Sequence, residues 1–225
     1  TASYQVEGGV HEDGRGATIW DTFSHTPGKT KNGETGDIAC DSYHRWQEDI
    51  DLLKAMHLTA YRFSIAWTRI FPEGEGRLNP AGLAWYDRFV DALLAADIEP
   101  YVTLYHWDLP QPLQDKGGWQ NADTAKAFAA YAAAVAAHFK GRVRYYFTLN
   151  EPQCSIGLGY GTGVHAPGLQ LAEDTAFAAW HTMIYAHCLA ADAIRSADPA
   201  AKVGIAPTGR ICTPATDAPA DIEAA

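Results

Sequence analysis

Residues 143–152 read VRYYFTLNEP, and this stretch predicts how the chain folds. Its apolar residues are β-branched or aromatic and do not alternate with polar ones, which is typical of a parallel strand buried on both faces. Pro152 lacks a backbone donor and therefore ends regular strand pairing directly after Asn150 and Glu151. The strand is thus expected to deliver an amide and a carboxylate side by side at its carboxyl end.

Glu151 has a chemical and a structural interpretation. A carboxylate at such a strand end lies beside apolar walls, where burial raises the pKa of a carboxyl group. A Glu with a raised pKa can donate a proton to a leaving oxygen near neutral pH. Alternatively, Glu151 caps the following helix or pairs with an arginine, and the stretch alone leaves both interpretations open.

Short apolar runs alternate with helical patterns along the rest of the chain. The runs cover residues 60–66, 98–105, 143–149 and 202–206, and the helical patterns cover residues 46–57, 80–96, 122–139 and 175–196. Within residues 122–139 we expect a buried apolar stripe and an N-cap at Asp123; the stripe consists of Phe128, Tyr131, Val135 and Phe139. Such strand–helix units, with strands apolar on both faces, predict a parallel sheet in an α/β fold. Residues 1–7 resemble the tail of a first strand. We therefore predict a (β/α)8, or TIM, barrel of which this chain carries roughly strands 1–5.

The length of one unit indicates how much of a barrel is present. Each unit takes roughly 40 to 55 residues, so eight units need more than about 300 residues, whereas the chain has 225. We interpret residues 1–225 as the N-terminal part of a single (β/α)8 catalytic barrel. An open half would expose a strand edge and an apolar face. Further sequence or a second chain is therefore expected to cover it.

Composition argues against several classes of partner. The formal net charge is -10, from 27 acidic against 17 basic residues, and no basic cluster offers a nucleic-acid site. No apolar stretch reaches the length of a membrane-spanning helix. The sequence leaves the oligomeric state open, including a homo-oligomer.

The cysteines indicate the compartment. Cys40, Cys154, Cys188 and Cys212 match no zinc or redox spacing, so we expect neither disulfides nor a metal. This usage predicts a cytoplasmic protein. The chain begins at Thr1 without a Met, so a secreted protein with a removed leader stays an alternative.

Polar and aromatic side chains follow each predicted strand, at the end where β/α barrels carry their chemistry. In chain order these residues are Gln5, Glu7, Arg62, His106, Trp107, Asn150 and Glu151. Amide and imidazole groups suit sugar hydroxyls, and indoles such as Trp107 and Trp20 suit the C–H face of a pyranose. The set predicts a carbohydrate site. Gln5 and His106 could instead make structural hydrogen bonds, and Arg62 could pair with a structural carboxylate.

Four linked motifs carry a resemblance to a known family. They read TASYQVEGG (1–9), YRFSIAWTRIFPEG (61–74), TLYHWDLPQPL (103–113) and TLNEPQCSIGLGYGTGVHAPG (148–168). In this order they resemble the β-glucosidase family, glycoside hydrolase family 1, and the similarity extends over almost the whole chain. The resemblance implies a barrel-shaped glycoside hydrolase that needs no cofactor.

The resemblance also implies a role for each matched residue. Glu151 is implied as the general acid/base, and Asn150 as the residue that holds the sugar 2-hydroxyl. Gln5 and His106 are implied to bind hydroxyls of the non-reducing-end sugar, with Trp107 nearby.

Arg62 is implied to orient the catalytic nucleophile. Family members use a second Glu as that nucleophile, within a Glu-Asn-Gly type motif, and this sequence contains no such motif. The nucleophile is therefore expected outside residues 1–225.

The implied activity is that of a retaining β-glycosidase. It would hydrolyse the non-reducing-end β-linked glucose of oligosaccharides, such as those from cellulose degradation, and of aryl and alkyl glucosides. Its mechanism would be a two-carboxylate double displacement, with transglycosylation as a side activity. Because Glu151 supplies only half of the pair, we expect this chain alone to be inactive.

Two other functions compete with this activity as interpretations of the sequence. The alternative is a catalytically inactive sugar-binding half-barrel fragment. A glycanase that acts inside long polymers is disfavoured, because the SYQVEG and YHWDLP segments resemble those of the exo-acting family.

Two features near Glu151 have plainer interpretations. Cys154 is expected to be a neutral wall residue, because no cation that would activate its thiol is evident. The glycines at 157, 159, 161 and 163 predict a flexible loop at the site entrance, because no Lys-Ser/Thr pair follows them as in a phosphate loop.

Overall fold

The computed structural model describes residues 1–209 and 212–224. The longer helices are α3 (Ser42–Ala55), α5 (Pro80–Ala95), α7 (Ala122–His138) and α9 (Glu173–Ala197). Short helices are α1 (Ser3–Val6), α2 (Ile19–His25), α4 (Trp67–Ile70), α6 (Gln111–Asp115), α8 (Pro152–Ile156) and α10 (Pro219–Ala224). The strands are β1 (Ala60–Ser64), β2 (Glu99–Tyr105), β3 (Tyr145–Asn150) and β4 (Lys202–Ala206). The four predicted strand–helix alternations are confirmed, with boundaries shifted by a few residues.

The described strands form one parallel sheet in the order β1-β2-β3-β4. The register pairs Phe63 with Val102, and Val102 with Tyr146. All three side chains are buried, as expected for strands enclosed on both faces. Sequential parallel order, with a helix after each strand, brings every strand's carboxyl end to the same edge of the sheet.

The predicted first strand is wrong over most of its length. Only Thr1 pairs with the sheet: its amino group donates to the Arg62 carbonyl at 2.9 Å, and its carbonyl accepts from the Ser64 amide at 3.1 Å. From Ser3 the chain turns into α1, which closes when the Glu7 amide donates to the Ser3 carbonyl at 2.8 Å. Gln5 therefore lies on a helical turn and not in a strand.

A buried ion pair holds the N-terminal segment against α4 and α5, the two helices that follow β1. Arg69 Nε donates to Glu7 Oε2 at 2.7 Å, and Arg69 Nη2 donates to the Gly8 carbonyl at 2.7 Å. The Tyr86 hydroxyl donates to the other Glu7 oxygen. The side chains of Arg69 and Glu7 are only 1% and 7% exposed. Glu7, expected at the strand-end site, is instead part of the core.

Helix α7 packs its predicted apolar stripe into the core. Phe128, Tyr131 and Val135 are fully buried. The predicted N-cap at Asp123 is wrong, because the Asn121 side chain accepts a hydrogen bond from the Asp123 amide and so occupies the cap position.

The expected flexible glycine loop is also wrong. Residues Pro152–Ile156 form α8, and Gly157–Gly161 continue it as one turn of π-helix. Gly159 allows this close packing, because a Cβ there would lie 2.4 Å from the Ala166 carbonyl oxygen. The segment is therefore regular helical structure that begins one residue after β3.

No helix within residues 1–209 and 212–224 combines the length and apolar character required to cross a bilayer.

Candidate active site

Asn150 and Glu151 lie together at the carboxyl end of β3. Asn150 is the last residue of the strand and is 4% exposed. The Glu151 amide donates to the Ala206 carbonyl of β4 at 2.7 Å. Glu151 itself has φ 43°, a left-handed conformation that is uncommon for residues other than glycine. Glu151 is therefore half-buried at a tight strand-to-helix turn, at the position that the sequence predicts.

Arg62, Asn150 and His106 form one hydrogen-bonded chain across three strands. Arg62 Nη2 donates to Asn150 Oδ1 at 2.6 Å, and Arg62 Nε donates to Thr103 Oγ1 at 2.9 Å. Since Arg62 carries only donors, it orients the Asn150 amide so that Nδ2 faces His106 Nε2 at 3.0 Å. The structure thus brings together three site residues that are far apart in the sequence.

The His106 ring is neutral at neutral pH. Burial, with the positive charges of the N-terminal amine and Arg62, lowers its pKa to about 4. Nε2 is therefore free to accept from Asn150, and the ring proton lies on Nδ1. The neutral ring adds no second cation beside Arg62, and its Nδ1 is buried without a hydrogen-bond partner among the described residues.

Trp107 is fixed by both backbone and side chain. Its φ is 78°, a strained value for a bulky residue. Its indole nitrogen donates to the Asn150 carbonyl at 2.9 Å, which ties the turn after β2 to the end of β3. The Trp107 ring also contacts His165, with ring centroids 5.4 Å apart.

A cavity of about 300 Å³ opens beside this network. Gln5, His106 and Trp107 line it together with Trp20, whereas Arg62, Asn150 and Glu151 are not among its described lining residues. Gln5 is exposed to the cavity region, and Trp20 supplies a half-buried aromatic face. The predicted sugar-contacting side chains therefore share one cavity, and the predicted catalytic residues form the adjoining strand end.

The structural alternatives for Glu151 find no support in its contacts. Glu151 occupies the N-cap position of α8, but its side chain makes no capping hydrogen bond. Both described hydrogen bonds of the Arg62 guanidinium go to Thr103 and Asn150. Glu151 is nevertheless close enough to oppose the lowering of the Arg62 pKa that burial causes.

Cys154 behaves as a neutral neighbour of Glu151. Burial is the main cause that raises the pKa of its thiol, and the Glu151 charge raises it further. The thiolate is therefore disfavoured, which agrees with the interpretation of Cys154 as a wall residue.

Sequence reasoning assigned no role to Tyr4 or to Asp108, although Asp108 belongs to the predicted strand end. Tyr4 lines the cavity, and its hydroxyl donates to the Trp20 carbonyl at 3.1 Å. Asp108 is 1% exposed and lies directly behind the His106–Trp107 turn. Both residues stand within the SYQVEG and YHWDLP segments, so their proximity to Gln5 and His106 was the available signal.

Asp108 leads to a pH-dependent prediction. Burial raises the pKa of its carboxyl group to about 6, from an ordinary value of 3.8. Because the folded state then binds the proton more tightly than the unfolded state, Asp108 favours folding below pH about 4 and loses that contribution as pH rises to about 6. We expect Asp108→Asn to lack this loss. Urea denaturation at several pH values measures the free energy of unfolding of both proteins. The value for the variant minus that for the parent should increase between pH about 4 and about 6. A difference that does not change with pH would contradict the prediction.

Comparisons with known proteins agree with this arrangement. The family model described as Glycosyl hydrolase family 1 matches residues 1–225. Beta-glucosidase A of Thermotoga maritima is 48% identical over 224 residues, which cover 100% of this chain and 50% of the relative. The chain thus spans about half the length of the curated relatives it matches.

Solved structures match equally closely. The crystal structure of the AHE enzyme from Alicyclobacillus herbarius has a TM-score of 0.94 at 53% identity, covering 100% of this chain and 50% of that one. A beta-glucosidase from Thermotoga maritima in complex with glucoimidazole has a TM-score of 0.95 at 48% identity, covering 100% and 51%. These neighbours confirm the predicted fold class as part of a (β/α)8 barrel. Because the family model matches residues 1–225 of this chain, the chain belongs to glycosyl hydrolase family 1.

Proposed function

We propose that this chain is the N-terminal part of a single (β/α)8 catalytic barrel, in a retaining β-glycosidase of the β-glucosidase type. The substrate would be the non-reducing-end β-linked glucose of cello-oligosaccharides and of aryl or alkyl glucosides. The observation that carries the proposal is the hydrogen-bonded chain from Arg62 through Asn150 to His106, which joins Glu151's strand end to the cavity. Relatives named as beta-glucosidases, which are 48% and 47% identical over this chain and about twice its length, support the substrate class.

In the proposed mechanism Glu151 is the general acid and then the general base. As an acid it would protonate the leaving glycosidic oxygen, and as a base it would activate water against the glycosyl-enzyme. A retaining reaction requires a second carboxyl group about 5–5.5 Å away to attack the anomeric carbon. We propose that this nucleophile lies outside residues 1–225 and is oriented by Arg62, whose position beside Asn150 suits that task.

Binding of the sugar would be shared by two sets of residues. Gln5 and His106, which line the cavity, would bind hydroxyls, and Trp107 would pack on the ring. Asn150 would hold the 2-hydroxyl, a contact that strengthens in the transition state. Its amide is suited to this because Arg62 and His106 hold it in one orientation.

The remainder of the barrel would be supplied by further sequence or by a second chain. Strand β4 is only half-buried, and Phe177 and Tyr185 on α9 are 69% and 46% exposed. Exposed apolar surface of this kind on a sheet and a helix is usually buried against another part of the protein or against a partner. We further propose a cytoplasmic location, which the four unpaired cysteines support.

The proposal predicts that activity depends on the nucleophile outside this chain. The purified 225-residue chain is expected to show no turnover of 4-nitrophenyl β-glucoside, because one carboxylate cannot complete a double displacement. Full-length protein is expected to hydrolyse it, with the β-anomer formed first by NMR.

A 2-deoxy-2-fluoro-glucoside label, followed by mass spectrometry of peptides, locates the nucleophile. A sugar adduct outside residues 1–225 supports the proposal. Clear turnover by a verified 225-residue chain would overturn the division of the two carboxylates. Sugar binding without any turnover by the full-length protein would instead support the inactive sugar-binding alternative.

A further inference from the structure

Asp108 is a buried carboxylate whose contacts reach both sides of the cavity. It is 1% exposed and is absent from the described cavity lining. Its Oδ2 accepts from the Ser3 hydroxyl at 2.8 Å, and its Oδ1 accepts from the His106 amide at 3.2 Å. The charge of Glu7, which has the same sign, adds to the rise that burial causes in the pKa of Asp108. Asp108 is thus held by hydrogen bonds rather than by a cation.

One of these hydrogen bonds fixes the segment that carries Gln5. Ser3 is the first residue of α1, a single turn, and Gln5 follows two residues later. The Ser3 amide also donates to Ser64 Oγ at 2.6 Å, at the end of β1. Ser3 is 2% exposed, so this turn is anchored at its start from inside the barrel.

The other hydrogen bond fixes the turn that carries His106 and Trp107. The Asp108 side chain reaches back across Trp107 to the His106 amide, as short acidic side chains do in turns. Trp107 requires this support, since its φ of 78° is unfavourable for an aromatic residue.

We propose that Asp108 is a positioning residue, which holds Gln5 through Ser3 and His106 through its amide so that both face one sugar. The inference rests on the proposed function, because it assumes that Gln5 and His106 contact the substrate. It assigns to Asp108 and Ser3 an effect on substrate affinity although neither would touch the sugar.

A double-mutant cycle between Ser3→Ala and Gln5→Ala in the full-length protein tests this inference. Ser3→Ala is expected to lower kcat/KM for 4-nitrophenyl β-glucoside roughly 3- to 10-fold, mainly through KM, the range of one lost hydrogen bond. In the Gln5→Ala background the same replacement should change kcat/KM less than about 2-fold, because the side chain that it misplaces is gone.

Asp87→Asn provides the matched control for lost stability. Burial raises the pKa of Asp87, but hydrogen bonds from Arg142 and His138 outweigh burial and lower it. Asp87→Asn therefore also removes a hydrogen-bonded carboxylate. Asp87 lies in the middle of α5, the helix that precedes β2, and its partners His138 and Arg142 lie at the end of α7 and before β3, away from the strands' carboxyl ends. Asp87→Asn should lower the melting temperature and leave KM for 4-nitrophenyl β-glucoside unchanged.

The outcomes separate the inference from the proposed function. If Gln5→Ala leaves KM unchanged, the proposed sugar contact of Gln5 fails. If Gln5→Ala raises KM but Ser3→Ala has no effect, or has the same effect in both backgrounds, the positioning role is overturned. Where Ser3→Ala does not fold, Ser3→Cys, which keeps the side-chain volume and replaces the hydroxyl by a weak donor, takes its place in the cycle with the same criterion.

Discussion

Replacing Glu151 by Gln in the full-length protein is expected to lower kcat/KM for cellobiose about 10²–10⁴-fold, the usual contribution of a general acid. A sugar leaving group is a strong base and departs slowly without a proton. The loss should therefore be much smaller for 2,4-dinitrophenyl β-glucoside, whose leaving group needs no proton. Steady-state kinetics with both substrates measures the difference.

Two further measurements identify the role of Glu151. Azide is expected to accelerate the variant on the activated substrate and to give a β-glucosyl azide, because an anionic nucleophile needs no general base. Glu173→Gln, at the exposed start of α9, is the control and should leave both rates unchanged. Equal losses on the two substrates would show that Glu151 does not act as the acid.

Replacing Glu7 by Gln is expected to lower the free energy of unfolding by about 3–5 kcal/mol, since it leaves Arg69 buried without its counter-charge. Arg69 is 1% exposed and its Nη1 already has no partner among the described residues. Water therefore cannot replace the lost carboxylate. Urea denaturation of the variant and the parent measures the change.

Two controls separate the burial of charge from the loss of an ion pair. Glu48→Gln removes an exposed pair with Arg45 and should leave the denaturation midpoint unchanged. The double replacement Glu7→Leu with Arg69→Met removes both buried charges and should recover part of the stability. A Glu7→Gln variant as stable as the parent would mean that the pair contributes no net stability.

The sequence predicted the strands well because their signal is local. A strand enclosed on both faces consists of neighbouring apolar residues, as in β3, so its place can be read without knowledge of its partners. Helix α7 was likewise predicted from a stripe that repeats within one element. The predicted strand over residues 1–7 was wrong because Glu7 pairs with Arg69, a contact across 62 residues that the local pattern does not contain.

Local patterns in the sequence are sufficient to predict the kind of fold, the order of the strand ends and the residue types at each end. The tertiary structure, in contrast, brings the Arg62 guanidinium within hydrogen-bond distance of the Asn150 side chain, 88 residues away. It also brings the Asn150 amide within hydrogen-bond distance of His106, 44 residues away. It also decided that Asp108 is buried behind the cavity and that Glu7 is part of the core. The reason is physical: apolar periodicity is written in adjacent residues, whereas hydrogen bonds and pKa values depend on groups that the chain brings together only when the sheet forms.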